Sequence, residues 1–195
     1  MDSTLAIRVG TAVGGAPEGL VAQALRDAFA EICRRVPAWT EEREATVPEG
    51  FAQGPGARLE GIELPAGAAV QEFRRWRVNG IPVGRGAIRW DEARGCVTDR
   101  RGMLRAGDVV AWEAVYVPAT HEADVPERTV LLIGNAAVPL AASILLGMPR
   151  RPWSDPNAAA MKRQDYLREL TNLIRRCLTG EDENVRMCAW GLVDE

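Results

Sequence analysis

The stretch LVAQALRDAFAEICRRV, residues 20–36, decides how the rest of the chain is interpreted. Its apolar residues recur at spacings of three and four, and its charged residues fill the opposite side of a helical projection. Pro17 and Glu18 suit a helix start, the closing arginines favour the negative end of the helix dipole, and Pro37 prevents continuation. The pattern predicts an amphipathic helix that packs one face on a core.

Composition predicts a folded, intracellular protein. The chain has 195 residues, of which 47% are hydrophobic and 26% charged, so it is expected to bury a core as one domain. Its net charge of -3 lacks the basic footprint of a nucleic-acid-binding protein. Residues 1–15 do not have the pattern of a secretory signal, and without a sustained period they predict an arm or a short strand.

The cysteines and the single histidine predict no metal site. Cys33, Cys96, Cys177 and Cys188 form no C-x-x-C pair, and His121 is the only histidine. Two disulfides are possible by number, but Cys33 and Cys177 fall at apolar positions of helical patterns, which favours buried, reduced thiols. We therefore expect neither a metal nor another cofactor.

The middle of the chain is predicted to be a small antiparallel sheet. Residues 45–118 are rich in Gly and Pro and contain candidate strands at 58–64 and 69–78. The Asn-Gly dipeptide at 79–80 predicts a hairpin, because both residues tolerate positive φ. Pro82 then marks the returning strand as an edge strand.

Two apolar runs in the second half of the chain are predicted to be buried. Residues 108–117 are apolar on both faces apart from Glu113, which predicts a central strand. Residues 130–148 are almost wholly apolar and approach the length of a membrane span. Because Asn135 and Pro139 interrupt this run, we favour a kinked helix buried in protein over a membrane span.

The sequence MPRRPWSDP, residues 148–156, predicts a rigid connector before the last helix. Asp155 is a candidate N-cap with Pro156 in the first turn. The helix is predicted to run to about Leu178 and to be stopped by Gly180.

These elements predict an α+β fold: a small bundle of three main helices with an inserted antiparallel β segment and an extended C-terminal tail. The expected domain covers 1–180, with a helical core at 17–37 and 126–180 and a β insertion at 45–118. Residues 181–195 form the tail.

The candidate catalytic residues favour a protein that is not an enzyme. His121, beside Glu122, is a candidate general base, but the preferred interpretation is a histidine exposed to solvent in a loop. A pair of carboxylates able to act as acid and base could come from Glu41, Glu42 and Glu44, but the preferred interpretation is that these residues form a solvated turn. No catalytic residue is predicted.

Aromatic and basic residues are assigned structural roles. Trp39 and Trp153 are candidate ligand stackers, but anchors that close a loop onto a core are the preferred interpretation. Five arginines are expected to pair with acidic residues within or between subunits rather than with nucleic acid. These are Arg74, Arg75, Arg77, Arg100 and Arg101.

Two segments resemble the bacteriophage head-to-tail connector, or portal adaptor, family. The helix that runs into AEICRRVPAW, ending at Trp39, is similar to the opening of these proteins. The second half of the chain is similar to the family in the order, spacing and residues of four segments. These are VYVP at 115–118, the apolar helix, GMPRRPWSDP at 147–156 and a final helix. The residues that carry this motif are Trp39, Pro149, Pro152, Trp153, Asp155 and Pro156.

The resemblance implies a structural virion protein. Family members form a ring, usually of twelve copies, beneath the portal protein, where they prolong the DNA channel and offer a platform to tail or nozzle proteins. It implies no cofactor, no membrane and no sequence-specific contact with the DNA. The expected location is the head-tail junction of the virion, after assembly in the host cytoplasm.

The tail after residue 180 lies outside this resemblance. Its apolar residues predict docking on the portal, since terminal segments with an aromatic anchor commonly order on a partner. The candidate portal-binding residues are Val185, Met187, Trp190 and Leu192. Folding of the tail on its own subunit is the alternative. For the whole chain, the alternatives are another junction protein (a stopper or tail-completion protein) or a host small-molecule-binding protein.

Overall fold

The computed structural model describes residues 3–84, 86–120 and 123–179, which fall into two compact units. Thr40–Val117 form one unit, here called the sheet unit. The described residues before and after it form the other, here called the helical unit.

Four helices build the helical unit. They are α1 (Ser3–Val13), α2 (Glu18–Arg35), α3 (Glu127–Leu146) and α4 (Pro156–Thr179). Each of the other three contacts α3. The predicted helix at 20–36 is confirmed as α2, which buries Leu25, Phe29 and Ile32 against the core.

The predicted bundle of three helices is wrong, because residues 3–13 form a helix and not an arm or strand. Leu5, Val9 and Val13 lie four residues apart and are all buried, so they give α1 one apolar face. A Cβ added to Gly134 of α3 would lie 3.2 Å from Leu5 Cδ2, so the glycine allows the two helices to approach closely.

The apolar run after residue 126 forms α3, a continuous helix that contains Pro139. By length and composition α3 is apolar enough to cross a membrane, and 61% of its apolar window is buried within the protein. Its buried residues include Ala137, Ala141 and Ala142, whose small side chains permit close packing of the neighbouring helices. Packing on α1, α2 and α4 therefore buries most of the apolar surface of α3.

The connector after α3 leads directly into a capped helix. The Asp155 carboxylate accepts hydrogen bonds from the N–H groups of Asn157 at 3.0 Å and Ala158 at 2.9 Å, and Pro156 is the first residue of α4. The Asp155 N–H donates to the Leu146 carbonyl at 3.0 Å, which ties the connector to the end of α3. Within the connector, Pro149 and Pro152 are exposed.

The described residues of the sheet unit form seven strands in two antiparallel sheets, so a small inserted β segment is also wrong. The first sheet has the order β1-β7-β3-β4 and the second β2-β6-β5. The strands are β1 (Thr40–Thr46), β2 (Ala57–Leu59), β3 (Ala68–Val78), β4 (Ile81–Pro82), β5 (Ile88–Asp91), β6 (Cys96–Asp99) and β7 (Val109–Pro118).

Several local predictions in this unit are confirmed. β7 lies between β1 and β3, as a strand that is apolar on both faces should. The Asn-Gly turn has φ values of 49° and 77° and joins β3 to β4, which places Pro82 on an edge strand. The predicted turn at Glu41, Glu42 and Glu44 is wrong, because these residues belong to β1 and pair with β7.

Candidate functional site: surfaces of the helical unit

Large apolar side chains lie on the outside of the helical unit. Ile7 on α1 is 67% exposed, Leu131 on α3 is 70% exposed and Met161 on α4 is 67% exposed. Each lies on a helix whose opposite face is buried, so none of them is needed to close the core. These side chains are candidates for contacts with a partner.

One such surface, here called the α1 ridge, consists of Ile7, Arg8 and Leu131. The Arg8 guanidinium donates long hydrogen bonds to Asn135 Oδ1, at 3.4 Å from Nη2 and 3.5 Å from Nη1. Leu131 precedes Asn135 by one helical turn, so it extends the same side of α3. Within the described ranges no carboxylate pairs with Arg8, and its charge is available to a partner.

A second surface is a groove of about 390 Å³, here called the α2–α4 groove. Its lining residues come from α2 (Asp27, Ala30, Glu31, Arg34), α3 (Leu140, Ile144) and α4 (Arg163). Its apolar members are one alanine, one leucine and one isoleucine, and its charged members all come from α2 and α4. An apolar lining with charged groups from both flanking helices suits a protein side chain and its charged neighbour.

The two carboxylates of the groove differ in their partners. Glu31 is held by Arg35 at 2.6 Å and by Arg34 at 3.9 Å. Asp27 accepts a hydrogen bond from Gln23 Nε2 at 2.9 Å, and in the described part of the chain no cation pairs with it. Arg163 of the lining also has no carboxylate partner in the described residues, so the two carboxylates and two guanidinium groups of the groove balance in number.

Tyr166 underlies the α4 side of this region. Its ring is buried, and the Arg163 guanidinium lies 4.9 Å from the ring centroid. Burial raises the pKa of the Tyr166 phenol, while the charge of Arg35 acts in the opposite direction. The phenol is thus neutral near pH 7 and adds no charge to the groove.

The sheet unit holds a buried ion cluster that the sequence predicted in part. Glu113 is 1% exposed, and it accepts hydrogen bonds from Arg74 Nε at 2.6 Å and Arg75 Nη1 at 2.7 Å. Arg77 pairs with Glu42 at 3.1 Å. The expected pairing of these three arginines with acidic residues is confirmed, whereas Arg100 and Arg101 form no ion pair within residues 3–84, 86–120 and 123–179.

An aromatic cluster lies in the same unit and was missed by sequence reasoning. The ring centroids of Phe73 and Trp90 are 4.8 Å apart, and those of Trp76 and Trp112 are 5.5 Å apart. Arg75 has φ of 55°, a left-handed conformation that interrupts the alternation of side chains along β3. This irregularity explains why Phe73 and Trp76 reach one cluster although they are three residues apart.

The remaining candidate residues do not assemble into a chemical site. Glu41 pairs with Arg43 at 2.6 Å and Glu42 with Arg77, so these carboxylates serve the sheet. No group of three His, Cys, Asp or Glu side chains in the described residues is placed to hold a metal ion. His121 and Glu122 lie outside the described residues.

The predicted anchors and the tail have different outcomes. Trp39 is fully buried and Trp153 is half-buried. Cys33 and Cys96 are free and buried, and burial raises the pKa of the Cys33 thiol to about 12. The candidate portal-binding residues Val185, Met187, Trp190 and Leu192 lie outside the described residues, as do Cys188 and the side chain of Cys177.

Comparison with known proteins adds no family. No protein-family model matches the chain, and no curated protein matches it significantly.

Proposed function

We propose that this protein is a structural virion protein: a head-to-tail adaptor whose copies form a ring below the portal of a tailed phage. The ring extends the channel through which DNA passes without sequence-specific contact. It also provides the platform to which tail or nozzle proteins attach. In this role the protein has no catalytic activity and needs no cofactor.

The observation that carries this proposal is the position of the segment with the resemblance. VYVP ends β7, the chain then enters α3, and GMPRRPWSDP connects α3 to the capped start of α4. Residues 115–117 belong to the sheet unit, whereas α3 and the connector belong to the helical unit, in which α3 contacts all three other helices. The connector of the motif thus joins the main packing element of the helical unit, α3, to the capped start of α4.

The exposed apolar side chains support assembly. A monomer would leave Ile7, Leu131 and Met161 in water, whereas burying each in an interface stabilises the complex by roughly 1.5–3 kcal/mol. In a ring the same contact is repeated at every subunit, so modest contacts add up to a stable assembly.

The experiment that tests this proposal locates the protein in particles. We expect an electron cryomicroscopy reconstruction of the purified phage to show it as a ring at the vertex through which the genome leaves. Particles assembled without the protein should carry no tail, and adding the purified chain should restore tail attachment. A position elsewhere in the particle, or absence from it, overturns the proposal. A position below another ring at the same vertex would identify a stopper or tail-completion protein instead.

The C-terminal segment is proposed to bind the portal. A chain truncated after Gly180 should no longer co-sediment with assembled portals, whereas the full chain should. The substitution Trp190→Ala in the full chain separates loss of the anchor from loss of the whole segment. Undiminished binding by both variants would show that the portal contacts lie elsewhere.

A further inference from the structure

One face of the three-stranded sheet β2-β6-β5 carries three arginines that form no ion pair with the described residues. They are Arg58 on β2, Arg89 on β5 and Arg100 at the end of β6. We propose that this surface, here called the arginine face, binds the phosphate backbone of duplex DNA without reading its sequence. The inference rests on the proposed function for the identity of the nucleic acid, and it adds a surface of the protein that touches the DNA.

Strand pairing places the three arginines on one side of the sheet. Arg58 and Arg89 both pair with Thr98, from opposite sides of β6, and residues that pair across antiparallel strands project from the same face. Arg100 follows Thr98 by two residues, and its N–H donates to the Ala87 carbonyl at 2.8 Å, so it keeps the register of β6 and lies on the same face. The three arginines are exposed, and Thr98 is half-buried between them.

The opposite face of this sheet belongs to the core. Leu59, Ile88 and Val97 project from it and are buried. On the same side, the ring centroid of Trp90 lies 4.8 Å from that of Phe73 on β3. The first sheet therefore packs on this side, and the arginines project away from it.

The carboxylates near the arginine face gather at one end of the sheet, around the turn between β5 and β6. Asp91 ends β5, Glu92 lies in the turn and Glu60 follows β2. Asp91 accepts a hydrogen bond from Arg94 at 2.8 Å, which lowers the pKa of Asp91, and the charge of Arg58 adds to this effect. The turn end of the sheet therefore carries charges of both signs.

At the opposite end, the residues that the ladder places beside Arg100 are basic or uncharged, apart from Asp99. The Asp99 carboxylate is buried on the core side, where it accepts from three backbone N–H groups, so it does not neutralise Arg100. Arg101 is exposed and forms no ion pair within the described ranges. This local excess of positive charge is hidden in a net charge of -3 for the chain, which is why composition did not predict it.

The chemistry of the face favours phosphate over a protein surface. Guanidinium groups match phosphate oxygens in geometry and charge, and a threonine hydroxyl such as that of Thr98 is also a common phosphate contact. A protein interface usually has an apolar centre, whereas the other ladder residues on this side, Ala87 and Cys96, are both buried. The exposed part of the face is thus made of arginine side chains around one hydroxyl.

The spacing of the arginines also fits a DNA backbone. Neighbouring strands lie about 4.8 Å apart, so Arg58 and Arg89, two strands apart, start from backbone positions about 10 Å apart. Along each DNA strand one phosphate recurs per about 3.4 Å of helix axis, so a surface of this width meets about three phosphates. Phosphate contacts carry no sequence information, so the binding is sequence-independent.

The first test measures binding of the full chain to a short fluorescein-labelled DNA duplex by fluorescence anisotropy. Three phosphate contacts release counterions, so the logarithm of the association constant should fall against the logarithm of salt concentration with a slope of about -2.7. Arg89→Ala should weaken binding about fivefold at about 0.1 M salt and reduce the slope by about 0.9. The triple variant Arg58→Ala, Arg89→Ala, Arg100→Ala should not bind, and duplexes of different sequence should behave alike.

Matched variants separate the arginine face from a general effect of charge. Arg151→Ala removes an exposed arginine of the connector that forms no ion pair within residues 3–84, 86–120 and 123–179, and it should leave the affinity and the slope unchanged. Arg89→Lys keeps the charge and should retain the slope. All these positions are exposed, so every variant should keep the thermal unfolding curve of the parent protein.

The second test asks whether an acidic protein is the occupant instead. Poly-glutamate at equal charge concentration should displace the duplex poorly, because the high charge density of DNA releases more counterions. Poly-glutamate that binds more tightly than DNA, and through the same three arginines, overturns the proposal and identifies an acidic protein as the partner. Absence of duplex binding at low salt, or equal losses in Arg89→Ala and Arg151→Ala, also overturns it.

These outcomes are distinguishable from the failure of the proposed function. If DNA binding depends on the three arginines and the protein is not at the portal vertex, the arginine face stands and the proposed function fails. If the protein is at the vertex and its DNA binding is insensitive to the three arginines, only the arginine face fails.

Discussion

The helical unit and the sheet unit are stabilised by different interactions. Among the described residues of the helical unit, the buried side chains are aliphatic or aromatic apart from the Cys33 thiol and Thr129, whose hydroxyl donates to the Ala38 carbonyl at 3.4 Å. In the sheet unit two carboxylates, Asp99 and Glu113, are buried together with an aromatic cluster. In an apolar core, the stability lost on truncating one side chain rises with the volume of the cavity that is left. A buried charge, by contrast, is strongly destabilising when any one of its partners is removed. Substitutions in the two units should therefore have different consequences.

The largest effect is expected in the sheet unit, from Glu113→Ala. Removing the carboxylate leaves the guanidinium of Arg74 largely buried without its counter-charge, and breaking such a pair costs about 3–5 kcal/mol. The free energy of unfolding should fall by that amount in urea titrations followed by tryptophan fluorescence.

The matched control for that change is Glu42→Ala. The ion pair of Glu42 with Arg77 is solvent-exposed, so its loss should cost no more than about 1 kcal/mol. Equal destabilisation by the two variants would contradict the view that buried charge holds the sheet unit together.

In the helical unit the corresponding change is Leu145→Ala in α3. Leu145 is fully buried, and its truncation leaves a cavity that costs about 2–5 kcal/mol. Leu131→Ala on the same helix should change stability by less than about 0.5 kcal/mol, because Leu131 is exposed. Thermal unfolding of the two variants provides the measurement, and a similar loss in both would show that α3 is not packed as described.

A smaller effect is expected from Asp99→Ala in the sheet unit. The carboxylate accepts hydrogen bonds from the N–H groups of Arg101 at 3.0 Å, Gly102 at 2.8 Å and Leu104 at 2.7 Å. Leaving such donors without a partner costs about 2–3 kcal/mol where burial prevents water from replacing the carboxylate.

The comparison variant for Asp99 is Asp108→Ala, which removes a similar local contact at a more exposed position. Its carboxylate accepts from the Arg105 N–H at 2.7 Å and from Asn79 Nδ2 at 2.8 Å, and water can replace it at both exposed donors, so about 1 kcal/mol is expected. Amide hydrogen exchange at 101–104 should rise in the first variant and not in the second.

The helical elements differed in how well sequence predicted them. In α2 apolar and charged residues separate cleanly around the helix, and its position was predicted within two residues at each end. In α1 only Leu5, Val9 and Val13 mark the buried face, and the Gly, Ala and Thr residues between them show no clear polar side. A helix of this composition is stabilised by tertiary contacts, which a local pattern does not contain.

The sheet unit was predicted less well, because its strands pair with partners that are distant in the sequence. β1 has the sequence TEEREAT, which is typical of a solvated turn, yet an edge strand tolerates charged residues and pairs here with β7. The conformation of Arg75 shifts the alternation along β3, so a period of two does not identify the aromatic cluster.

The surfaces of the helical unit were beyond prediction for a related reason. The α2–α4 groove joins side chains of α2 to those of α3 and α4, which lie more than 100 residues later in the sequence. The α1 ridge joins α1 to α3, and the sequence pattern did not predict α1 as a helix. The resemblance depends instead on local signals: the end of α2 up to Trp39, VYVP at 115–118, the apolar run of α3, the connector and the capped start of α4.

Two buried cysteines allow the stability of the two units to be compared directly. Cys33 lies in the helical unit and Cys96 in the sheet unit, and both are inaccessible. Neither should react with iodoacetamide at pH 8 in the native protein, as followed by mass spectrometry of the labelled peptides. In Glu113→Ala, Cys96 should become labelled at lower urea concentrations than Cys33, because the sheet unit has lost its buried counter-charge. Labelling of the two at the same urea concentration would show that the units unfold together.

The same thiol fixes the sign of a pH effect on the helical unit. Burial raises the pKa of Cys33 from its ordinary value of 9.0 to about 12, so the unfolded chain loses this proton at a lower pH than the folded chain does. The stabilisation is complete below pH 9 and is lost as the pH rises towards about 12. Cys33→Ala should remove this contribution to the pH dependence while leaving the stability profile below pH 9 parallel to that of the parent. An unchanged alkaline slope in that variant would mean that other groups, such as the buried phenol of Tyr166, determine it.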